Sequence, residues 1–364
     1  MMSCHSFWNA LPMIAIGIIS SQPAQAQHVE CPVQIYAGNL TYVAAEQDTA
    51  IGACILDHPG VEDINAELSS ICHLPAELTT LPRLSRVWIR FGECADVNEL
   101  IHTVLNCPSM GVVTLYGCRA PVFPSTVISS KRIDYLELSF GRIDSIDLDR
   151  IDMPNLYYLD VRRLGVVALK GSLRRFPQLA MLDLTATRMT GLPVGIDSLR
   201  KLRELNLSHN PQYDWNHVGS VLQRCDCLRE VTLEECGLRG VPAGLRFPHD
   251  ISSINLAGNM LTSIPVAFTS LPRLRILYLG YNHFTHVDTT IRNIPSLQHL
   301  DLSHNKIGAL PSWLPVMRKL TFLDLSGNPL QQEAVNNLRT VMPWCRIFFS
   351  IDPSQESNNP DHLR

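Results

Sequence analysis

Charge is scarce in this chain. Only 18% of its 364 residues are Asp, Glu, Lys or Arg, against roughly a quarter in an average globular domain. Thirty basic and 34 acidic residues leave a net charge of −4, so no global basic field points to nucleic acid or to an anionic membrane. Aromatic residues are also few, at 7%. No apolar stretch reaches the ~20 residues that a spanning helix needs; the run Leu11-Pro-Met-Ile-Ala-Ile-Gly-Ile-Ile19 is far shorter. Local signatures of chemistry are missing as well. There is no C-x-x-C pair, G-x-S-x-G elbow, phosphate loop or H-E-x-x-H. Apolar residues, by contrast, make up 46%, which excludes wholesale disorder.

The short apolar run is followed by Ala24-Gln25-Ala26. An apolar core ahead of an A-x-A site is the layout of a secretory signal peptide, although Lys and Arg are absent from residues 1–10. Cleavage would leave Gln27 as the first mature residue, in a compartment that permits disulfides. Loss of Cys4 leaves Cys31, Cys54, Cys72, Cys94, Cys107, Cys118, Cys225, Cys227, Cys236 and Cys345. Their connectivity does not follow from spacing.

An internal repeat organises the rest. Copies of L-x-x-L-x-L begin at Leu84, Met110, Ile133, Leu156, Leu179, Leu202, Leu228, Ile251, Leu274, Leu297 and Leu320. Eight of the ten steps are 23 residues and two are 26. The clearest copies are Leu297-Gln-His-Leu-Asp-Leu-Ser-His-Asn305 and Ile251-Ser-Ser-Ile-Asn-Leu-Ala-Gly-Asn259, and a degraded copy at Val61 brings the number to twelve. This pattern resembles the leucine-rich-repeat superfamily over residues 61–345. The resemblance implies an α/β solenoid: a horseshoe with a concave parallel sheet and caps at both ends.

Elementary physics gives the same picture. L-x-L is strand chemistry of period 2, and no unit can bury its own leucines, so neighbours stack and share one core. Strands need about 4.8 Å each while the outer wall needs more, which curves the array. The ninth repeat position closes the turn, where Asn210, Asn259, Asn282, Asn305 and Asn328 can bond to the loop backbone. Upstream it holds Ser69, Gly92, Cys118, Gly141, Leu164 and Thr187. A regular C-terminal half and a less regular N-terminal half are expected. Residues 95–105 and 215–224, in the two longer units, show apolar i, i+3/i+4 spacing that predicts convex helices. Residues 329–342 predict an amphipathic helix and 343–349 a final strand. This ending resembles the caps of secreted bacterial leucine-rich-repeat proteins. The expected division is a signal peptide over 1–26, an N-terminal cap over 27–60, repeats over 61–328, a C-terminal cap over 329–350 and a disordered tail over 351–364.

Candidate chemistry is thin. Asp160, Asp183, Asp301 and Asp324 share the fifth repeat position and read as outward residues of an ordinary strand. His283, His286, His299 and His304 gather in neighbouring units, but no cysteine or carboxylate completes a metal set. Cys118 and Cys236, at the turn-closing position, are expected as buried free thiols, with any bridges in the N-terminal cap or between wall segments. Of two N-x-S/T sequons, Asn39 is the better acceptor and Asn206 lies in a strand.

Recognition is expected on the concave face, through repeat positions three, five, seven and eight. The N-terminal part offers Arg86, Trp88, Arg90, Phe91, Tyr116, Tyr135, Phe140, Tyr158, Arg162 and Arg163. The middle offers Glu204, Glu230, Glu234 and Glu235; the C-terminal part offers Tyr278, Tyr281, His299 and Phe322. Trp, Tyr and Arg are the types enriched in binding hot spots. The leading reading is a secreted or periplasmic, monomeric, non-enzymatic module that recognises a protein or peptide, or a glycan, with no cofactor and no nucleic acid. The second reading is a structural scaffold of the cell envelope or cell wall.

Overall fold

The computed structural model describes residues 59–68, 73–91 and 96–350, together with the strands Val33–Tyr36 and Asn39–Val43. The signal-like segment 1–26 and the tail 351–364 lie outside them. One 15-stranded sheet runs the length of the described chain. It opens with the antiparallel pair Val33–Tyr36 and Asn39–Val43. From Asn39–Val43 onward each strand pairs in parallel with the strand of the next repeat, ending at Arg346–Phe348. The sheet is open, because its first and last strands have one neighbour each.

The register is that of the repeat. Leu159, Leu182, Leu205, Val231, Ile254, Leu277, Leu300 and Leu323 stand side by side on successive strands, and all are essentially inaccessible to solvent. They merge with the wall residues Phe176, Phe268, Phe284 and Leu314 into one continuous core. A leucine at this position therefore packs against both neighbouring units as well as its own, which is why the stack is cooperative.

The two halves differ in how the outer wall satisfies its backbone. In the C-terminal half Asn259 Nδ2 donates to the carbonyls of Leu233 and Leu256 at 2.8 and 2.9 Å, and its Oδ1 accepts from the amides of Cys236 and Leu238 at 3.1 and 3.0 Å. Asn282, Asn305 and Asn328 repeat the arrangement, and the wall there consists of short 3-10 turns such as Val266–Ser270 and Thr289–Asn293. Where asparagine is missing, strands replace it. Arg119–Phe123, Arg142–Asp147 and Ala168–Lys170 form a second, parallel sheet on the wall, and the amide of Arg142 donates to the Cys118 carbonyl at 2.8 Å. Gly141 makes this possible: a Cβ there would lie 2.1 Å from the Cys118 oxygen.

Both longer units do carry helices, Val97–Leu105 and Trp215–Leu222, started by Asp96 and Asp214, whose carboxylates accept from backbone amides of the first turn. At the C-terminus the helix Gln332–Val341 buries Val335 and Leu338 over the last unit, followed by the strand Arg346–Phe348. No helix of the described residues is long and apolar enough to cross a membrane.

Candidate binding surface on the concave face

Side chains at positions three, five and seven stand on the concave face, but neighbours decide how much of each is reachable. Trp88 is half-buried and Tyr116 is 7% exposed. Their rings lie 5.0 Å apart, and Phe140 extends the run at 5.8 Å from Tyr116. Arg90 lies over Trp88 at 5.9 Å and Arg163 over Phe140 at 5.3 Å. The Arg86 guanidinium is clamped on the Asp63 carboxylate one strand back. Phe91 departs from the expected pattern: it turns inward and joins the core at 5% exposure, because the strand Arg86–Phe91 keeps strict alternation to its last residue.

Tyr135 and Tyr158 form a second pair, stacked at 4.2 Å. Their hydroxyls donate downward, Tyr135 to Glu137 at 3.1 Å and Tyr158 to Asp160 at 2.9 Å. Beneath them lies a polar network that sequence reasoning missed. Glu137, Asp160 and Asp183 are 1%, 0% and 0% exposed, not the outward-facing residues expected for Asp160 and Asp183. One guanidinium serves the group: Arg162 Nη2 donates to Glu137 at 2.6 Å, and Nε lies 3.2 Å from Asp160. Asp183 accepts from the amide of Thr185 at 2.7 Å and from Asn206 at 3.3 Å. Burial, reinforced by the neighbouring carboxylates, holds Asp160 well above the usual carboxylate range, and burial pushes Asp183 up to about 6. A signal was present: three consecutive units carry a carboxylate at position five, and Arg162 follows two residues after the middle one. What period 2 alone could not show is that rings at position three would roof them.

Further along, Glu204 and Glu230 face each other on adjacent strands. Burial and then the Glu230 charge push Glu204 up to about 7; burial also raises Glu230 and Glu234. The C-terminal part is a file of rings. Tyr278 is 5.1 Å from His299, His299 is stacked on Phe322 at 4.0 Å, and Phe322 is 4.9 Å from Phe348.

Position eight forms a rim along one edge of this face, and its backbone is left-handed in every unit from Gly117 on. Phe140, Arg163, Ala186, His209, Glu235, Tyr281 and His304 have φ between 50° and 57°, and Gly117, Gly258 and Gly327 between 67° and 81°. Residues with a Cβ adopt this region at a cost. Even so, Phe140 and Tyr281 are 51% and 61% exposed on it. Tyr281 stacks on His304 at 4.1 Å, so that histidine is a rim ring. Among the described residues no three His, Cys, Asp or Glu converge in a way that could hold a metal.

The cysteines at 107, 118, 225, 227, 236 and 345 are all unpaired. That includes the wall positions where bridges were expected; Cys107 instead points its thiol at the Leu78 and Thr103 carbonyls. Cys31, Cys54, Cys72 and Cys94 lie outside the described residues. Cys236 donates to the Leu207 carbonyl at 3.4 Å in place of asparagine, and burial pushes its thiol up to about 11. Asn206 is 8% exposed and bonded to Ser208, so its sequon is closed to modification in the folded chain.

Comparisons with known proteins agree with this architecture. A leucine rich repeat family model matches residues 285–330. A Leptospira interrogans leucine-rich-repeat protein is similar at TM-score 0.52 and 19% identity, over 85% of this chain and 89% of that one. The mouse RP105/MD-1 complex is similar at TM-score 0.57 and 20% identity, over 90% of this chain and 56% of that one. A TLR13–ssRNA13 complex is similar at TM-score 0.61 and 16% identity, over 80% and 50%. A search of curated protein sequences finds no match.

Proposed function

The chain is a leucine-rich-repeat protein, and from that premise we propose that it is a secreted or periplasmic, non-enzymatic module that recognises a protein or peptide on its concave face. One observation carries the reading. Trp88, Tyr116 and Phe140 are set ring against ring on consecutive units, with Arg90 and Arg163 laid over the outer members. Aromatic and Arg side chains already fixed by their neighbours lose little freedom on contact, which is the condition for anchor residues. The signal-like segment ending at Ala26 supports export. The RP105/MD-1 neighbour is a complex between proteins and the TLR13 neighbour a complex with RNA. The net charge of −4 and the acidic middle favour protein over RNA for this chain.

The test joins export to recognition. Exported chain should begin at Gln27, and pull-downs from surface proteins should be compared with sedimentation on cell-wall material. Trp88→Ala should cost about 2 kcal/mol or more of affinity for the captured partner, with a stability cost held to about 1.5 kcal/mol from the lost ring contacts. A large stability loss with unchanged affinity would show that Trp88 is only packing. Sedimentation with cell wall and no protein capture would replace this reading with the scaffold one.

A further inference from the structure

Between its end glycines, Gly117 and Gly327, the rim at position eight also loses its side chain at Gly258, and a cleft lies there. Gly258 gives the rim no side chain between Glu235 and Tyr281, and the cleft there is lined by Glu234, Glu235, Gly237, Gly258, Met260 and Tyr281. Its walls are of two kinds. Tyr281 and Met260 are exposed large apolar residues, at 61% and 40%, and they converge here. With one ring face against His304, Tyr281 still lines the cleft with its remainder. The other wall is acidic. Glu235 runs over Gly258, whose Cβ would sit 2.7 Å from Glu235 Cγ, and its carboxylate reaches His209 at 3.2 Å. Glu234 feels the same His209 but makes no ion pair among the described residues, and neither do Glu230 on its own strand and Glu204 on the next.

An apolar wall holding an aromatic ring and a thioether, beside one carboxylate that meets only His209 and a second that makes no ion pair, is complementary to a long cationic side chain. The methylene stem covers Met260, and the head lies near the Tyr281 ring and the glutamates. We propose that this cleft seats a lysine or arginine side chain of a basic segment in a protein partner, and that Glu230 and Glu204 continue the path for further cations. The inference rests on the reading that the concave face and its rim are the recognition surface, and it names the chemistry of what arrives there. An RNA partner is disfavoured by the same carboxylates.

The probe is fluorescein-labelled hexalysine, with its Nζ-acetylated form as the uncharged match, titrated by anisotropy against the full chain at low salt. Glu234→Gln with Glu235→Gln removes the charge and keeps the shape; Tyr281→Gly removes the ring at a φ that suits glycine. Glu99→Gln with Glu333→Gln removes the same charge from exposed helix positions elsewhere. Each cleft variant should weaken hexalysine binding at least roughly fivefold, with the control within about twofold and the acetylated peptide far weaker throughout. An equal loss in the charge control, or no loss in Tyr281→Gly, would overturn the cleft. If hexalysine fails while Trp88→Ala still loses the captured partner, this inference ends and the concave-face reading stands. If both fail, both end.

Discussion

At the scale of single residues, the interior of a repeat array punishes the loss of a polar atom as much as the loss of a methyl. Asn259 serves three carbonyls and two amides drawn from two units, and the residue is 4% exposed. Asn259→Ala leaves those groups without partners, at about 1–3 kcal/mol for a buried unsatisfied group. A loss of at least about 2 kcal/mol in urea melts is the expected result; a loss below 0.5 kcal/mol would mean that water takes over the ladder. Leu256→Ala, at a site with no exposure, should cost about 2–5 kcal/mol through the cavity it opens. Ser253 shows where sequence reading stops. It stands at an outward strand position, yet it is 8% exposed because Glu230 and Ile276 flank it on the adjacent strands. Alternation gives the direction of a side chain, while exposure depends on the size of its neighbours in other units. Ser253 has no side-chain hydrogen bond to lose, so Ser253→Ala should still stay within about 0.5 kcal/mol.

Elements were legible wherever a local rule governs them. The strand register, both convex helices and the terminal helix and strand follow from spacing that a reader can count, and the caps Asp96 and Asp214 stand one residue before their helices. The wall strands Arg119–Phe123, Arg142–Asp147 and Ala168–Lys170 were not legible beyond an expected irregularity. They form because Gly141 and Leu164 cannot bridge units as asparagine does, so the backbone pairs with itself. Close approach between elements is hidden in the same way. Gly219 sits inside the helix Trp215–Leu222, where Gly→Ala ordinarily stabilises by about 0.5–1 kcal/mol. Here the new Cβ would lie 2.1 Å from the Gly244 oxygen and 2.3 Å from the Leu245 Cα. Gly219→Ala should therefore lower the melting temperature instead of raising it. A stabilised variant would place the Gly244–Arg246 segment farther from this helix than the structure does.

Across the whole molecule, the concave sheet collects ionisable groups that no single unit would bury. Asp160 is raised by burial and by its carboxylate neighbours, Asp183 reaches about 6, and Glu204 reaches about 7. In an unfolded chain such groups titrate near pH 4. Between that value and about 7 the folded molecule therefore holds more protons than the unfolded chain. The stability these groups contribute is complete below pH 4 and is lost as pH rises through their folded values. Asp250, lowered by His249, Arg273 and Arg229, works in the opposite sense, but only as pH falls below the ordinary carboxylate range. At fixed ionic strength the thermal midpoint should consequently be higher at pH 5 than at pH 8. The Glu204–Glu230 pair supplies a clean way to assign part of that slope, because neither carboxylate has a partner that glutamine would lose. Glu204→Gln removes the repulsion along with the titration, so it should raise the midpoint at pH 8, leave it nearly unchanged at pH 5, and flatten the curve around pH 7. The same curve measured with saturating hexalysine should flatten in wild type as well, since a bound cation stabilises the ionised form that burial disfavours. If Glu204→Gln runs parallel to wild type from pH 5 to pH 8, Glu204 contributes nothing to the slope and its carboxylate is as well solvated in the folded chain as in the unfolded one.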